Sequence, residues 1–205
     1  MTFQRFAALT ASFAFIAVLG HAETPATAPA PNAAKYFYVY APKGSPEVGH
    51  YTPSGWMGDV GDLRYEETAD PAQKTIKCAK VSYSAKRTKG AGWAGIYWQN
   101  PNNNWGSRAG GYNLGKFTKL TFRAKGAKGG EKVDAFKMGG IQGEFGDSDS
   151  AFVGPITLTN DWKTYTIDLT GKDLSRVIGG FCFALNADNN PEGLQLFLTD
   201  IRYEI

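Results

Sequence analysis

The sequence specifies an all-β fold, an antiparallel β-sandwich of two packed sheets, and three properties of this 205-residue chain carry that reading. Apolar residues recur with period two rather than 3.6 in one segment after another. Those segments are rich in aromatic and β-branched residues, which suit a pleated, half-buried surface. Glycine is abundant, at 25 residues, nearly twice an average share of about 7%, and it falls between the segments as turn punctuation. No alternation of strands with helices appears. Many short strands with polar turns favour a sandwich or jelly roll over a parallel α/β sheet.

The first 22 residues, MTFQRFAALTASFAFIAVLGHA, have the pattern of a secretory signal. Arg5 supplies the positive start, Phe6 to Leu19 the apolar run, and Gly20-His21-Ala22 a small-x-small cleavage site, so cleavage after Ala22 is expected. The run of about 14 residues is shorter than the roughly 20 that span a bilayer, so no membrane span remains after cleavage. The expected location is secreted or periplasmic. Residues 23–34, ETPATAPAPNAA, have nothing to bury, and alternating Ala and Pro make an extended tether. The folded domain is therefore 35–205, one domain by length.

Within it, YFYVY (36–40) reads as a short aromatic strand. In 74–84, alternation puts Ala79, Val81 and Tyr83 on one face. In 117–124 it puts Leu120, Phe122 and Ala124 inward, with Thr121 and Arg123 outward. In 162–169 it aligns Tyr165, Ile167 and Leu169. Segments 181–186 and 194–203 complete the set, and only 172–177 hints at a helical turn.

Composition narrows the function. Lys and Arg (22) nearly balance Asp and Glu (19) and are scattered, with a modest cluster at Lys86-Arg87-Thr88-Lys89. A nucleic-acid partner, which calls for basic charge gathered on one face, is not expected. Cleavage leaves His50 as the one histidine, which excludes a His-based zinc site and restricts Ser-His or Cys-His catalysis to that residue. Cys78 and Cys182 lie in predicted strands of an exported chain; pairing and separate burial both remain open.

Residues 92–112, GWAGIYWQNPNNNWGSRAGGY, hold three Trp, two Tyr, four Asn and one Arg in a Gly-rich context. Flat rings beside amides are what a sugar surface needs, because pyranose faces stack on aromatics and hydroxyls need directed donors and acceptors. Alternation over 93–99 sends Ala94, Ile96 and Trp98 to the core and Trp93, Gly95, Tyr97 and Gln99 to the opposite face. That face is the expected ligand surface, with half-buried sandwich aromatics as the competing reading of Trp93 and Tyr97. Trp105, beside Asn104 and Gly106, is the leading stacking candidate, against the role of a plug over the sandwich end. Arg108 could donate bidentate bonds to adjacent hydroxyls or to a uronate, or form a surface salt bridge. Trp56 reads as a loop staple. Asn186 and its neighbours, and Asp147-Ser148-Asp149, read first as polar turns.

Four segments resemble a known group: PSGWMGD (53–59), GWAGIYWQNPNNNWG (92–106), WKTYTIDLTGKDLS (162–175) and FLTDIRYE (197–204). The last two are similar to the end of jelly-roll carbohydrate-binding modules of the galactose-binding-domain-like type, where a "W-x-x-Y-x-I-D-L" strand precedes a terminal "D-I-x-Y/F" strand. The resemblance spans nearly all of 35–205. It implies non-catalytic binding of a polysaccharide or oligosaccharide, for which the ring and amide pattern offers Trp93, Tyr97, Gln99, Asn104, Trp105 and Arg108. It requires no cofactor. It implies a candidate structural Ca²⁺, with Asp200 matching the terminal-strand Asp and Asp59 and Asp62 as partners by position, since carboxylates suit a hard cation. Two other classes stay open. One is a small glycoside hydrolase or polysaccharide lyase, which needs two carboxyl groups about 5–9 Å apart, or a Tyr base beside a cation. Glu66, Glu67, Glu144, Asp147 and Asp149 are available for the former. The other is a scaffold domain with an envelope protein partner.

Overall fold

The computed structural model describes residues 35–205. The expected signal and tether lie outside the described residues. Thirteen strands follow one another: β1 (Tyr36–Tyr40), β2 (Thr52–Gly58), β3 (Leu63–Ala69), β4 (Lys77–Tyr83), β5 (Trp93–Gln99), β6 (Lys119–Gly126), β7 (Lys132–Val133), β8 (Ala135–Gly139), β9 (Ser150–Val153), β10 (Ile156–Thr157), β11 (Lys163–Asp168), β12 (Gly179–Asn186) and β13 (Leu194–Glu204). A six-stranded sheet runs β11-β6-β13-β4-β3, with β1 paired to the second half of β13. A five-stranded sheet runs β2-β5-β12-β8-β9, and β10 and β7 form a small ribbon. Every pairing is antiparallel. This is the expected antiparallel jelly-roll sandwich.

The alternation read from sequence fills the core. Ala79, Val81, Leu120, Phe122, Ala124, Leu196 and Leu198 from one sheet meet Ile96, Trp98, Phe136, Phe181 and Phe183 from the other in one continuous cluster. The ring of Phe122 lies 4.6 Å from Phe136 and 5.1 Å from Phe181, so aromatic edges and faces lock the two sheets together. In β13 the register shifts between Thr199 and Arg202, and Asp200 takes a left-handed conformation (φ 51°). This bulge resets the alternation, so that Ile201 and Tyr203 continue the inward face begun by Leu194, Leu196 and Leu198.

Outside the six-stranded sheet, Asp70 pins the turn that follows β3. Its buried carboxylate receives Lys125 Nζ at 2.8 Å, Trp162 Nε1 at 2.9 Å, and the N–H groups of Ala72 and Gln73 at 2.7 Å each.

Several elements differ from the sequence reading. The PSGWMG segment forms β2 rather than a turn; its Pro is tolerated because β2 is an edge strand. Residues 172–177 form no helical turn: Val177 bridges to Tyr112 and the Leu174 carbonyl accepts Leu114 N–H. Cys78 and Cys182 are buried free thiols on different sheets, β4 and β12, and do not pair. No helix among the described residues is long and apolar enough to cross a membrane.

Candidate binding site

The outer face of the five-stranded sheet carries the site, and its layout follows from strand register. One cross-strand row reads Gly55–Tyr97–Cys182–Lys137–Phe152. The next reads Met57–Gly95–Ala184–Ala135. Beyond it Trp93 pairs with Asn186. Gly95, Ala184 and Ala135 of the middle row therefore make a floor of small residues, closed at the β2 edge by Met57, with larger side chains on either side. A Cβ on Gly95 would overlap the carbonyl oxygen of Phe183 and lie 3.0 Å from Met57 Cε, so the floor must stay bare there. The result is a trough about 13 Å wide between Trp93 and Tyr97, four residues apart along β5, and about 14 Å long from β5 to β9.

Large exposed apolar side chains gather around it. Trp93 is 39% exposed, Trp105 45% and Phe152 68%. Phe152 was not anticipated. Its strand is four residues long, too short for a period of two to stand out in the sequence, and it places Ala151 in the core and Phe152 outside. Trp56 is exposed too, but alternation along β2 sends Met57 to the trough side and Trp56 to the opposite one.

Trp105 stands on a built platform. It meets Tyr97 edge-on, with ring centroids 6.0 Å apart and planes at 87°. The Tyr97 hydroxyl donates to Gly139 O at 2.9 Å. Asn104 is fully buried: its Nδ2 donates to Arg108 O at 2.8 Å, and its Oδ1 accepts Gly106 N–H at 3.2 Å. Gln99, also fully buried, donates to Asn104 O at 3.0 Å and accepts from Ser54 Oγ at 3.0 Å. Gly106 (φ 85°) lets the loop touch the 140–146 segment, where Phe145 N–H donates to Gly106 O at 3.0 Å; a Cβ there would overlap Gln142 O. Asp147 anchors that segment in turn by accepting the N–H groups of Ile141, Ile178 and Gly179.

These contacts correct part of the expected ligand set. Gln99 and Asn104 do not face a ligand, because their amides are committed to the loop that presents Trp105. Tyr97 is buried at 6% exposure and serves as the backing of Trp105; burial raises its phenol pKa far above the ordinary value. Beside it, burial pushes the Cys182 thiol up to about 12. Arg108 is exposed and donates to Asn102 O, making no salt bridge among the described residues. Trp93 and Trp105 remain exposed on opposite sides of the trough.

Asp59 and Asp62 lie one turn apart, but Asp200 lies away from them, and no group of three or more His, Cys, Asp or Glu among the described residues is placed to hold a metal ion. Asp200 is the bulge residue of β13 and faces Arg123 at 3.5 Å. Asp59 is buried and accepts the N–H groups of Lys89, Ala91 and Gly92. Burial alone would raise its pKa, but those donors outweigh it and hold the carboxyl below its usual value. Asp62 accepts Arg87 N–H at 2.7 Å. Both carboxylates thus shape the 84–92 loop that leads into β5.

Of the carboxylates considered for hydrolysis, Glu144 is exposed on the 140–146 segment, Asp147 is held by backbone N–H groups, and the other three have partners of their own. Glu66 pairs with Lys80 at 2.9 Å, Glu67 accepts Lys43 N–H, and Asp149 pairs with Lys172 at 3.2 Å. The trough rows themselves contain no carboxylate. A cavity of about 600 Å³ opens elsewhere, between segments 127–131 and 189–195, and none of the three exposed trough aromatics lines it. An extended polymer stacks on a shallow, ring-lined surface, so the trough is the better candidate.

No family model matches the chain, and no curated protein matches it in sequence. Among solved structures it is similar to a family 30 carbohydrate-binding module, at 17% identity and a TM-score of 0.55 over 82% of this chain and 87% of that one. It is similar to a family 30 module of a cellulosomal cellulase of Clostridium thermocellum, at 14% identity and a TM-score of 0.55 over 82% and 96%. A family 11 module from Clostridium thermocellum, in complex with a β-1,3-1,4-mixed-linked tetrasaccharide, follows at 16% identity and a TM-score of 0.50 over 73% and 87%. At these identities the likeness establishes the fold, which is that of jelly-roll carbohydrate-binding modules.

Proposed function

We propose that this protein binds a polysaccharide or oligosaccharide in the outer-face trough without altering it chemically. The observation that carries this reading is the gathering of Trp93, Trp105 and Phe152, all exposed, around a floor of Gly95, Ala184 and Ala135. Soluble domains rarely leave large rings exposed together unless a partner covers them. Sugar faces are such partners, and the half-buried Asn186 and Lys137 offer hydrogen bonds between the rings. The fold likeness to carbohydrate-binding modules, one of them holding a tetrasaccharide, supports the same reading. Absence of a carboxylate pair from the trough rows favours binding over glycoside hydrolysis. With its leader pattern, the protein acts outside the cytoplasm, secreted or periplasmic, on this reading. Affinity is modest, because a shallow site exchanges water hydrogen bonds for protein ones at small net gain.

Affinity gel electrophoresis through a panel of soluble polysaccharides tests this, with Trp105→Ala alongside. Retardation by at least one glycan, lost in the variant, is expected. No retardation by any glycan would overturn saccharide binding and redirect the search to an envelope protein partner. Release of reducing ends or unsaturated products would replace binding with catalysis.

A further inference from the structure

We infer that the trough takes an acidic polysaccharide, with a uronate carboxylate seated on Lys137. This rests on the saccharide-binding reading of the same trough and names its substrate class.

Lys137 is the one charged side chain in the trough rows. It sits half-buried between Cys182 and Phe152 and makes no hydrogen bond or ion pair among the described residues. Its ammonium lies against Gly140, where an added Cβ would overlap Nζ. The charge is thereby placed at the foot of the 140–146 segment that supports Trp105. The field of Asp147 reaches it, with both Asp147 oxygens held by backbone N–H groups.

The geometry brings a sugar substituent to this ammonium. Phe152 is the direct cross-strand neighbour of Lys137, and such neighbours have Cβ atoms about 5 Å apart. The Lys137 ammonium itself lies further along β8, against Gly140 at the start of the segment that touches the Trp105 loop, so a sugar chain that stacks on both Phe152 and Trp105 passes it. A hydroxyl there would make a neutral-acceptor bond. A carboxylate would make a charge-assisted one, roughly twice as strong, in a partly desolvated setting where the pair is weakly screened. Charge complementarity thus favours the acid.

Polygalacturonate, alginate and glucuronoxylan, each beside its carboxyl-reduced form, supply the probes, with affinity read by gel retardation at low and high salt. At least one acidic polymer is expected to bind about tenfold tighter than its reduced form. That preference should vanish in Lys137→Met, persist in Lys137→Arg and shrink as salt rises. Trp105→Ala should lose both forms. Equal binding of acidic and reduced forms, or a preference that survives in Lys137→Met, would overturn the acidic class while saccharide binding stood. Failure of every acidic, reduced and neutral polymer to bind would overturn both readings together.

Discussion

Asn104→Ala separates a residue that touches ligand from one that holds the residue that does. The Asn104 side chain is fully buried and bonds Arg108 O at 2.8 Å and Gly106 N at 3.2 Å. Truncation leaves a backbone acceptor and a backbone donor without their partner inside the loop. Two lost bonds, with the desolvation of the groups left behind, come to about 3 kcal/mol. For a domain of this size that lowers the melting temperature by roughly 6–12 °C. The affected loop is the one that presents Trp105, so affinity for the retarding glycan should fall together with stability. Trp105→Ala should instead abolish retardation with little change in melting, because that ring is 45% exposed. Paired calorimetry and affinity electrophoresis on both variants make the comparison. If Asn104→Ala lost affinity at an unchanged melting temperature, the amide would be a ligand contact and the platform argument would be wrong.

Phe152→Ala should weaken glycan binding by roughly three- to tenfold, the worth of one ring contact, and leave thermal stability unchanged because the side chain is 68% exposed; equal affinity would remove Phe152 from the site. Asp70→Ala strips the partner from buried Lys125 and from Trp162 Nε1, and should cost about 3–5 kcal/mol in urea unfolding. In the folded state burial opposes ionisation of Asp70, but Lys125 and the two N–H donors prevail and lower its pKa. The unfolded chain, titrating near 3.9, therefore binds more protons between the two pKa values. The stabilisation is complete above about pH 4 and falls away as acid passes through the folded pKa, so an acid-unfolding slope identical in wild type and Asp70→Ala would refute the assignment. Gly95→Ala drives a Cβ into Phe183 O and should destabilise by about 1–3 kcal/mol; a variant as stable as wild type in urea would show that the trough floor is not tightly packed.

Much of the fold was legible because a two-residue period reports burial directly. β1 and the 93–99 strand match the expected segments, and the inward triads of β4 and β6 are fully or almost fully buried. The missed strands lie at sheet edges or are short. β2 carries Pro and two Gly, which read as turn punctuation until its edge position is known. β3 is rich in charge because it closes the other sheet, where polar side chains protect an open edge. β8 and β9 offer five and four residues, too few for a period to declare itself.

The site was legible in its aromatics and misleading in its amides, for one physical reason. Composition shows that 92–112 concentrates rings with hydrogen-bonding groups, but not which groups the backbone claims first. A loop carrying an exposed indole must satisfy its own buried N–H and C=O groups. Asn104 and Gln99 do this beneath Trp105, as a surface ligand contact could not. Trp93 and Trp105 were placed by one strand and the loop after it, so local sequence sufficed. Phe152 and Lys137 join them only through β12, more than 50 residues from β5 along the chain, by register that no single segment records. A binding surface assembled across a sheet is thus read from sequence strand by strand, while the row that gives it chemical character emerges only with the pairing.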